Sequence, residues 1–443
     1  MACTQRDQYT KPGKDYDADQ SLSSIDRNCL IRPKRPKPRT PPPTQLHQRN
    51  HHLWMMASML GVSLTALLTT VFWDILTKPV LLKNPQSVSL FEPYAVDYKQ
   101  VQEIRLHNMQ KYSFNYSIHG IDRRENLSIQ EYRDVYDGKW PVIITDIVPK
   151  WKAANWTPDF FNTNYPKDRV VMRAFDLATA SDVSLALPLE LFYKNVDKAQ
   201  LQQWTYISDE LFIPMRPLLM KDIGDYVYLE EDFFQLFPDE IRPWNAMLLW
   251  GTTFSRSTLH IDPYNWTGTN AVLFYSLLFQ MYPPMQDEFL YVTPNTMSGF
   301  PLQCYKYNSR VNAYEPDYDR FPLFKQAKSI DFDQHPGELL LIPTGWFHQA
   351  FNLEETIAVS SQMTNRNNYR IVLEEIIAVG NLRREDLPKD IDKLTPAEQV
   401  KQVMSALPRS ILKEGAAVTK DVLRQMGILP DQSPYKLPVQ LDD

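Results

Sequence analysis

The sequence predicts a mainly β domain, a sandwich or barrel with added helices, carried behind an N-terminal membrane anchor. Three observations predict it. Short apolar runs alternate with turn signals through the middle of the chain, the pattern of half-buried and buried strands. The composition holds only 13 Gly beside 21 Phe, 23 Tyr and 10 Trp, which suits a large, stiff core and argues against a glycine-looped nucleotide binder. One run near the front, Leu53 to Trp73, carries no formal charge over 21 residues.

That run is long enough to cross a hydrocarbon core of about 30 Å as a helix. Trp54 stands at one end and Phe72 and Trp73 at the other, where amphipathic rings prefer the interface. Lys34, Arg35, Lys37, Arg39 and Arg49 precede the run, whereas only Lys78 and Lys83 follow closely. Basic flanks stay cytoplasmic, so the expected topology is type II, with the body lumenal (ER or Golgi) or extracellular. Residues 1–52 read as a basic, Pro-rich cytoplasmic tail containing the run PKRPKPRTPPPT, residues 53–75 as the anchor, and 76–92 as a stem. Ten Lys/Arg and five Asp lie in 1–52, leaving 37 Lys/Arg against 48 Asp/Glu in the rest, and an acidic body is a poor match for nucleic acid. The cysteines Cys3, Cys29 and Cys304 form neither a disulfide framework nor a zinc spacing. Sequons stand at Asn115, Asn126, Asn155 and Asn265.

From 93 to 380 the chain reads as one globular unit. Strands are expected at Pro141–Thr145, Arg169–Arg173, Trp244–Trp250, Ala271–Phe279, Glu338–Ile342 and Thr356–Ser360, with helices around Thr157–Phe161 and Glu230–Phe237. Beyond 380 the pattern turns helical, giving a C-terminal appendage over 381–443. Thr395-Pro-Ala-Glu398 is a capping box with proline at the first helical position, and Gly427 ends a second helix after Thr419–Met426. These helices either pair two chains or pack on their own barrel.

The residues that carry chemistry lie in Thr258-Leu-His-Ile-Asp-Pro-Tyr264 and Ile342-Pro-Thr-Gly-Trp-Phe-His-Gln-Ala-Phe351. His260 and Asp262 are two apart, so on a strand both point to one face. His348 follows a tight Pro-Thr-Gly turn 86 residues past Asp262. Two imidazoles and one carboxylate are the facial ligand set of non-haem Fe(II), which leaves an octahedral face open for a co-substrate and O₂. Zinc is the chemical competitor for the same ligands.

On these motifs the segment resembles the Jumonji C (JmjC) domain family, cupin-type double-stranded β-helices (jelly rolls) that bind Fe(II) and 2-oxoglutarate. The carriers are His260-x-Asp262, Pro343-Thr-Gly-Trp-Phe-His348, the strand Thr356–Ser360, and an upstream Lys139-Trp-Pro-Val-Ile-Ile-Thr followed by Trp151. The pattern is most similar to the arginine-demethylase/lysyl-hydroxylase type. The resemblance implies that His260, Asp262 and His348 are both the metal ligands and the catalytic centre. It implies that Asn270 and Ser360 contact the co-substrate. It also implies an oxygenase that hydroxylates or demethylates a protein or peptide.

The sequence departs from that pattern at one place. The family sets a Lys, pairing with the distal carboxylate of 2-oxoglutarate, where this chain has Leu277, and no Lys or Arg lies between Asp262 and Lys306. Arg256, Lys306, Arg310, Arg366 and Arg370 are candidate replacements, and Tyr275 a candidate neutral hydrogen-bond partner. The departure supports an alternative: an impaired JmjC-like scaffold that binds a partner without turnover. A type II glycosyltransferase is a third reading, but Asp317-Tyr-Asp319 and Asp331-Phe-Asp333 do not sit in an α/β pattern.

Overall fold

The computed structural model describes residues 120–428 except 179, 180, 226, 296–305 and 381. The expected anchor, the basic tail, the stem and Asn115 lie outside the described residues. Among the described residues no helix is long and apolar enough to cross a membrane.

Two sheets face one another. The larger runs β1 (Asp122–Arg124), β2 (Val142–Ile144), β12 (Leu339–Ile342), β7 (Thr267–Phe274), β14 (Thr356–Met363), β6 (Met247–Gly251), β5 (Gln203–Asp209), β3 (Arg169–Asp176), β4 (Ser181–Pro188), in that spatial order. The smaller runs β11 (Ile330–Gln334), β8 (Leu277–Tyr282), β13 (Phe347–Asn352), and β9 (Val292–Asn295) pairs separately with β10 (Lys306–Ser309). His260 joins these pieces, bridging antiparallel to His348 of β13 on one side and to Asn308 of β10 on the other. Nearly all pairings are antiparallel; β1 on β2 is parallel.

The strands form where branched and aromatic residues cluster, and the space between the sheets is filled by them. Val142, Ile143 and Ile144 of β2, Leu339–Ile342 of β12 and Ile357–Val359 of β14 are buried on both sides, which explains their unbroken apolar reading. The packing is heavily aromatic. Trp250 is fully buried with its ring against Phe161 and Phe192, and Trp346 meets Trp140 edge-on at 5.0 Å.

One expected strand is two. The apolar run Ala271–Phe279 breaks at Tyr275, whose φ is +49°, and the chain passes from β7 in the large sheet to β8 in the small one. Hydrophobicity alone does not mark such a reversal, because both arms are buried. The helix expected over Glu230–Phe237 is a single 3₁₀ turn, Phe233–Leu236, capped by Asp232 accepting from the N–H of Phe234. Its rings are needed in the core rather than on a helical stripe. The helix expected near Thr157 spans Pro158–Asn164, with Thr157 as its N-cap.

In the C-terminal region the capping box and the glycine stop hold, but the last helix begins ten residues before Thr419, at Arg409, because it opens behind Pro408 without a side-chain cap. Pro396–Ala406 opens with Thr395 and Glu398 bonding reciprocally, and Arg409–Gln425 ends before Gly427 at φ +73°. Val400, Val403 and Met404 share an apolar cluster with Tyr369 and Ile376 of helix Tyr369–Val379, and with Phe234 and Trp266. Trp266 lies four residues past Asp262, so these helices brace the base of the loop that carries the site.

Candidate metal centre

His260 and His348 face each other because an isolated bridge pairs His260 with β13, while Asp262 leads into the turn Pro263–Asn265 rather than lying on a strand. The His260 N–H donates to the His348 carbonyl at 3.0 Å and the His348 N–H donates back at 2.8 Å. The two imidazole centroids are 4.4 Å apart. Asp262 stands between the rings, its Oδ1 being 3.8 Å from Nε2 of each histidine. One ligand atom from each of the three lies within 4.8 Å of the others. All three side chains are largely withdrawn from solvent, at 16%, 20% and 7% exposure in chain order.

The remaining ring nitrogens set the tautomers. Nδ1 of His260 lies 2.7 Å from the Thr258 carbonyl oxygen, and Nδ1 of His348 lies 3.3 Å from that of Trp346. A proton on each Nδ1 satisfies these carbonyls and leaves each Nε2 lone pair for a metal. The Trp346 carbonyl is itself held in place: Gly345 turns the chain at φ +81°, and the Trp346 indole N–H donates to the Lys139 carbonyl at 3.1 Å.

Asp262 is held by a turn in which Tyr264 and Asn265 both have φ +56°. The strained turn closes where Asn265 donates from Nδ2 to Glu375 Oε1 at 2.6 Å. Asn265 is fully buried, so its sequon is not accessible in the folded chain, whereas Asn126 and Asn155 are exposed. Behind the carboxylate lies Gly268, where a Cβ would stand 2.0 Å from Asp262 Oδ2. Gly268 was not singled out from the sequence, since nothing in a Thr-Gly-Thr strand signals that a carboxylate lies against it. The donor set, the paired tautomers and this glycine cradle together fit a divalent metal with three protein ligands.

Asn270 lies two residues along β7 from Gly268 and therefore on the same face, and Ser360 of β14 is its direct cross-strand partner. Asn270 is 6% exposed and its Oδ1 has no hydrogen-bond partner. Tyr275 is not brought to this group. It sits in the β7–β8 turn at 48% exposure, its ring against Phe274, because the reversal there carries the side chain outward. Leu277 is buried at 4% exposure and faces the interior.

Three of the candidate cations are engaged by other side chains. Arg256 is half-buried with its guanidinium 6.0 Å over the Trp204 ring, and burial lowers its pKa. Arg310 is exposed, Arg366 pairs with Glu231, and Arg370 donates to the Tyr369 hydroxyl. Lys306 opens β10.

Comparison with known proteins agrees with this geometry. The family profile described as a cupin-like domain matches residues 128–362, a span that holds the strands from β2 into β14 and all three candidate ligands. The chain is 26% identical over 266 residues to the lysine-specific demethylase JMJ21 of Arabidopsis thaliana, covering 58% of this chain and 27% of that protein. It is 26% identical over 268 residues to the bifunctional arginine demethylase and lysyl-hydroxylase psr-1 of Caenorhabditis elegans, covering 58% and 64% respectively. It is 27% identical over 255 residues to HSPB1-associated protein 1 of Bos taurus, covering 54% and 51%. The chain thus spans between about a quarter and two thirds of the length of these curated relatives. With two facing sheets, a His-x-Asp loop at their junction and a profile match over that whole region, this chain belongs to the cupin-like family of the JmjC type.

Proposed function

We propose that the chain is a metal-dependent JmjC-type oxygenase that hydroxylates or demethylates a protein or peptide. The observation that carries this reading is the convergence of His260, Asp262 and His348 with both Nε2 atoms toward the Asp262 carboxylate. These three residues would hold Fe(II), which supplies redox chemistry toward O₂ that no side chain can perform. Asn270 and Ser360, side by side on β7 and β14, would orient the keto-acid head of a 2-oxo acid co-substrate. The burial of Asn270 on the face of β7 that carries Gly268, beside Asp262, supports a ligand there. Relatives named as arginine demethylase and lysyl-hydroxylase support a polypeptide substrate.

The test uses the purified full chain, loaded anaerobically with Fe(II) and then exposed to O₂ and a 2-oxo acid. Release of CO₂ from the acid is expected, with loss in His260→Ala and in Asp262→Ala. Turnover unchanged in both variants refutes the reading. A second reading, a JmjC-like binding scaffold, is favoured by the apolar Leu277. It predicts no turnover with metal bound, and partner binding that survives the same substitutions.

The charge-free run Leu53–Trp73 and its basic N-terminal flank support single-pass anchoring with the body lumenal or extracellular. Protease protection in sealed microsomes tests it: digestion of the body from outside refutes that orientation. A homodimer through the C-terminal helices is a further expectation, tested by sedimentation.

A further inference from the structure

The metal ligands fit their metal, but the barrel behind them does not fit a dianionic co-substrate. On β8, Met281 stands directly opposite His348, and Phe279 and Leu277 follow at two-residue steps on the same interior face. Across the next pairing, Ile330, Phe332 and Gln334 of β11 oppose Met281, Phe279 and Leu277 in turn. The Phe279 ring lies 6.4 Å from the His348 ring and stacks on Phe332 at 5.7 Å. The interior face that runs from His348 toward Leu277 is therefore apolar, and these side chains all belong to the main core cluster.

The side-chain donors opposite Leu277 are already engaged. Gln334, opposite Leu277, is fully buried, and its Nε2 donates to the carbonyls of Asn270 and Glu338 at 2.7 and 3.0 Å. Its Oε1 has no partner and is an acceptor, so it repels an anion rather than binding one. Asn352, on the other side of Leu277, donates its Nδ2 to Ser255 Oγ at 2.8 Å. None of the strands β5, β6, β7, β8, β11, β12, β13 and β14 contains a Lys or an Arg at any position. A carboxylate withdrawn from water into such a wall without a counter-charge is strongly disfavoured.

We infer that the co-substrate pocket behind the metal takes a 2-oxo monoacid with an uncharged, mainly apolar tail rather than 2-oxoglutarate. The inference rests on the metal-centre reading above. The keto-acid head would meet the metal, Asn270 and Ser360 as proposed. The tail would lie along Met281, Phe279 and Leu277, where shape and loss of water favour hydrocarbon.

The experiment is an anaerobic binding titration of the full chain loaded with Fe(II). Iron content is measured first, and binding is followed through the visible metal-to-ligand charge-transfer band and by calorimetry. The two probes are 2-oxo-4-methylpentanoate and 2-oxoglutarate. The expected result is tighter binding of 2-oxo-4-methylpentanoate by about tenfold or more, and a reversed preference in Leu277→Lys. Should the lysine variant fail to fold, the ratio for the unaltered chain decides by itself. Preference for 2-oxoglutarate in the unaltered chain overturns the inference, and loss of that preference in Arg256→Gln would then name Arg256 as the counter-charge. Saturation by neither acid with iron bound also overturns it. Absence of iron, or iron retained in His348→Ala, instead overturns the metal-centre reading on which it rests.

Discussion

Substituting Gly268 by Ala separates the metal site from the fold. The new Cβ would stand 2.0 Å from Asp262 Oδ2 and 3.3 Å from its Cγ, while its next neighbour, Ile342 Cβ, is at an ordinary 3.7 Å. The only group that must move is therefore the carboxylate. Gly268 has no positive φ, so alanine fits its strand backbone, and removing a glycine from a strand stabilises by about 0.5–1 kcal/mol. Displacing the support behind a ligand costs about 10- to 100-fold in metal affinity. At a metal concentration of about 100 Kd the metal stabilises the native chain by about 2.7 kcal/mol, and a 100-fold weaker site leaves about 0.4 kcal/mol. At about 2 °C per kcal/mol, the Fe(II)-induced rise in melting temperature should shrink by about 5 °C. Anaerobic thermal melts with and without Fe(II) read both quantities. The reasoning is refuted if the metal-free variant melts well below the parent, or if the metal-induced rise is unchanged.

Three further outcomes follow from the structure. Gly345→Val places a branched residue at φ +81° and should cost about 2–3 kcal/mol, read as a lower urea midpoint with unchanged slope. Burial pushes the Asp232 carboxyl up to about 6 although it caps the Phe233–Leu236 turn. A carboxyl whose folded pKa lies above its unfolded value binds more protons when folded, so the parent should lose stability as pH rises from about 4 to 6. Asp232→Asn, which keeps the capping oxygen, should remove about 2 kcal/mol of that pH dependence in chemical denaturation at pH 4 and 7, and an identical slope in parent and variant would count against it. When the chain is made through a secretory pathway, peptide mass mapping should find Asn265 without a glycan, since its Nδ2 is buried and donated to Glu375. A glycan there on folded protein contradicts the turn geometry.

Much of the candidate site was legible in the sequence because it is built from scarce residue types at fixed offsets. His260 and Asp262 declare themselves by the two-residue step, and Pro343-Thr-Gly345 announces the turn that delivers His348. The capping box at Thr395 and the stop at Gly427 are local rules that tertiary packing did not override. Gly268 and Gln334 were not legible, because a glycine or an amide inside an apolar strand takes its role only from what lies across from it. Tyr275, read as a candidate hydrogen-bond partner, stands in the β7–β8 turn, and no local pattern shows that the chain reverses there.

The sequence by itself determined the residue types of the candidate ligands, the turn before His348, the capping box that opens helix Pro396–Ala406 and the glycine that stops the last helix. These depend on side-chain chemistry and on contacts within a few residues. Only the tertiary structure decided that β8 leaves the large sheet, which turns Leu277 inward and Tyr275 outward. It also decided that Asn265 is buried by a helix more than a hundred residues away, and that a bare Cα stands behind Asp262. Those outcomes follow from pairing between strands far apart in the chain, and no local pattern encodes which face a distant neighbour will cover.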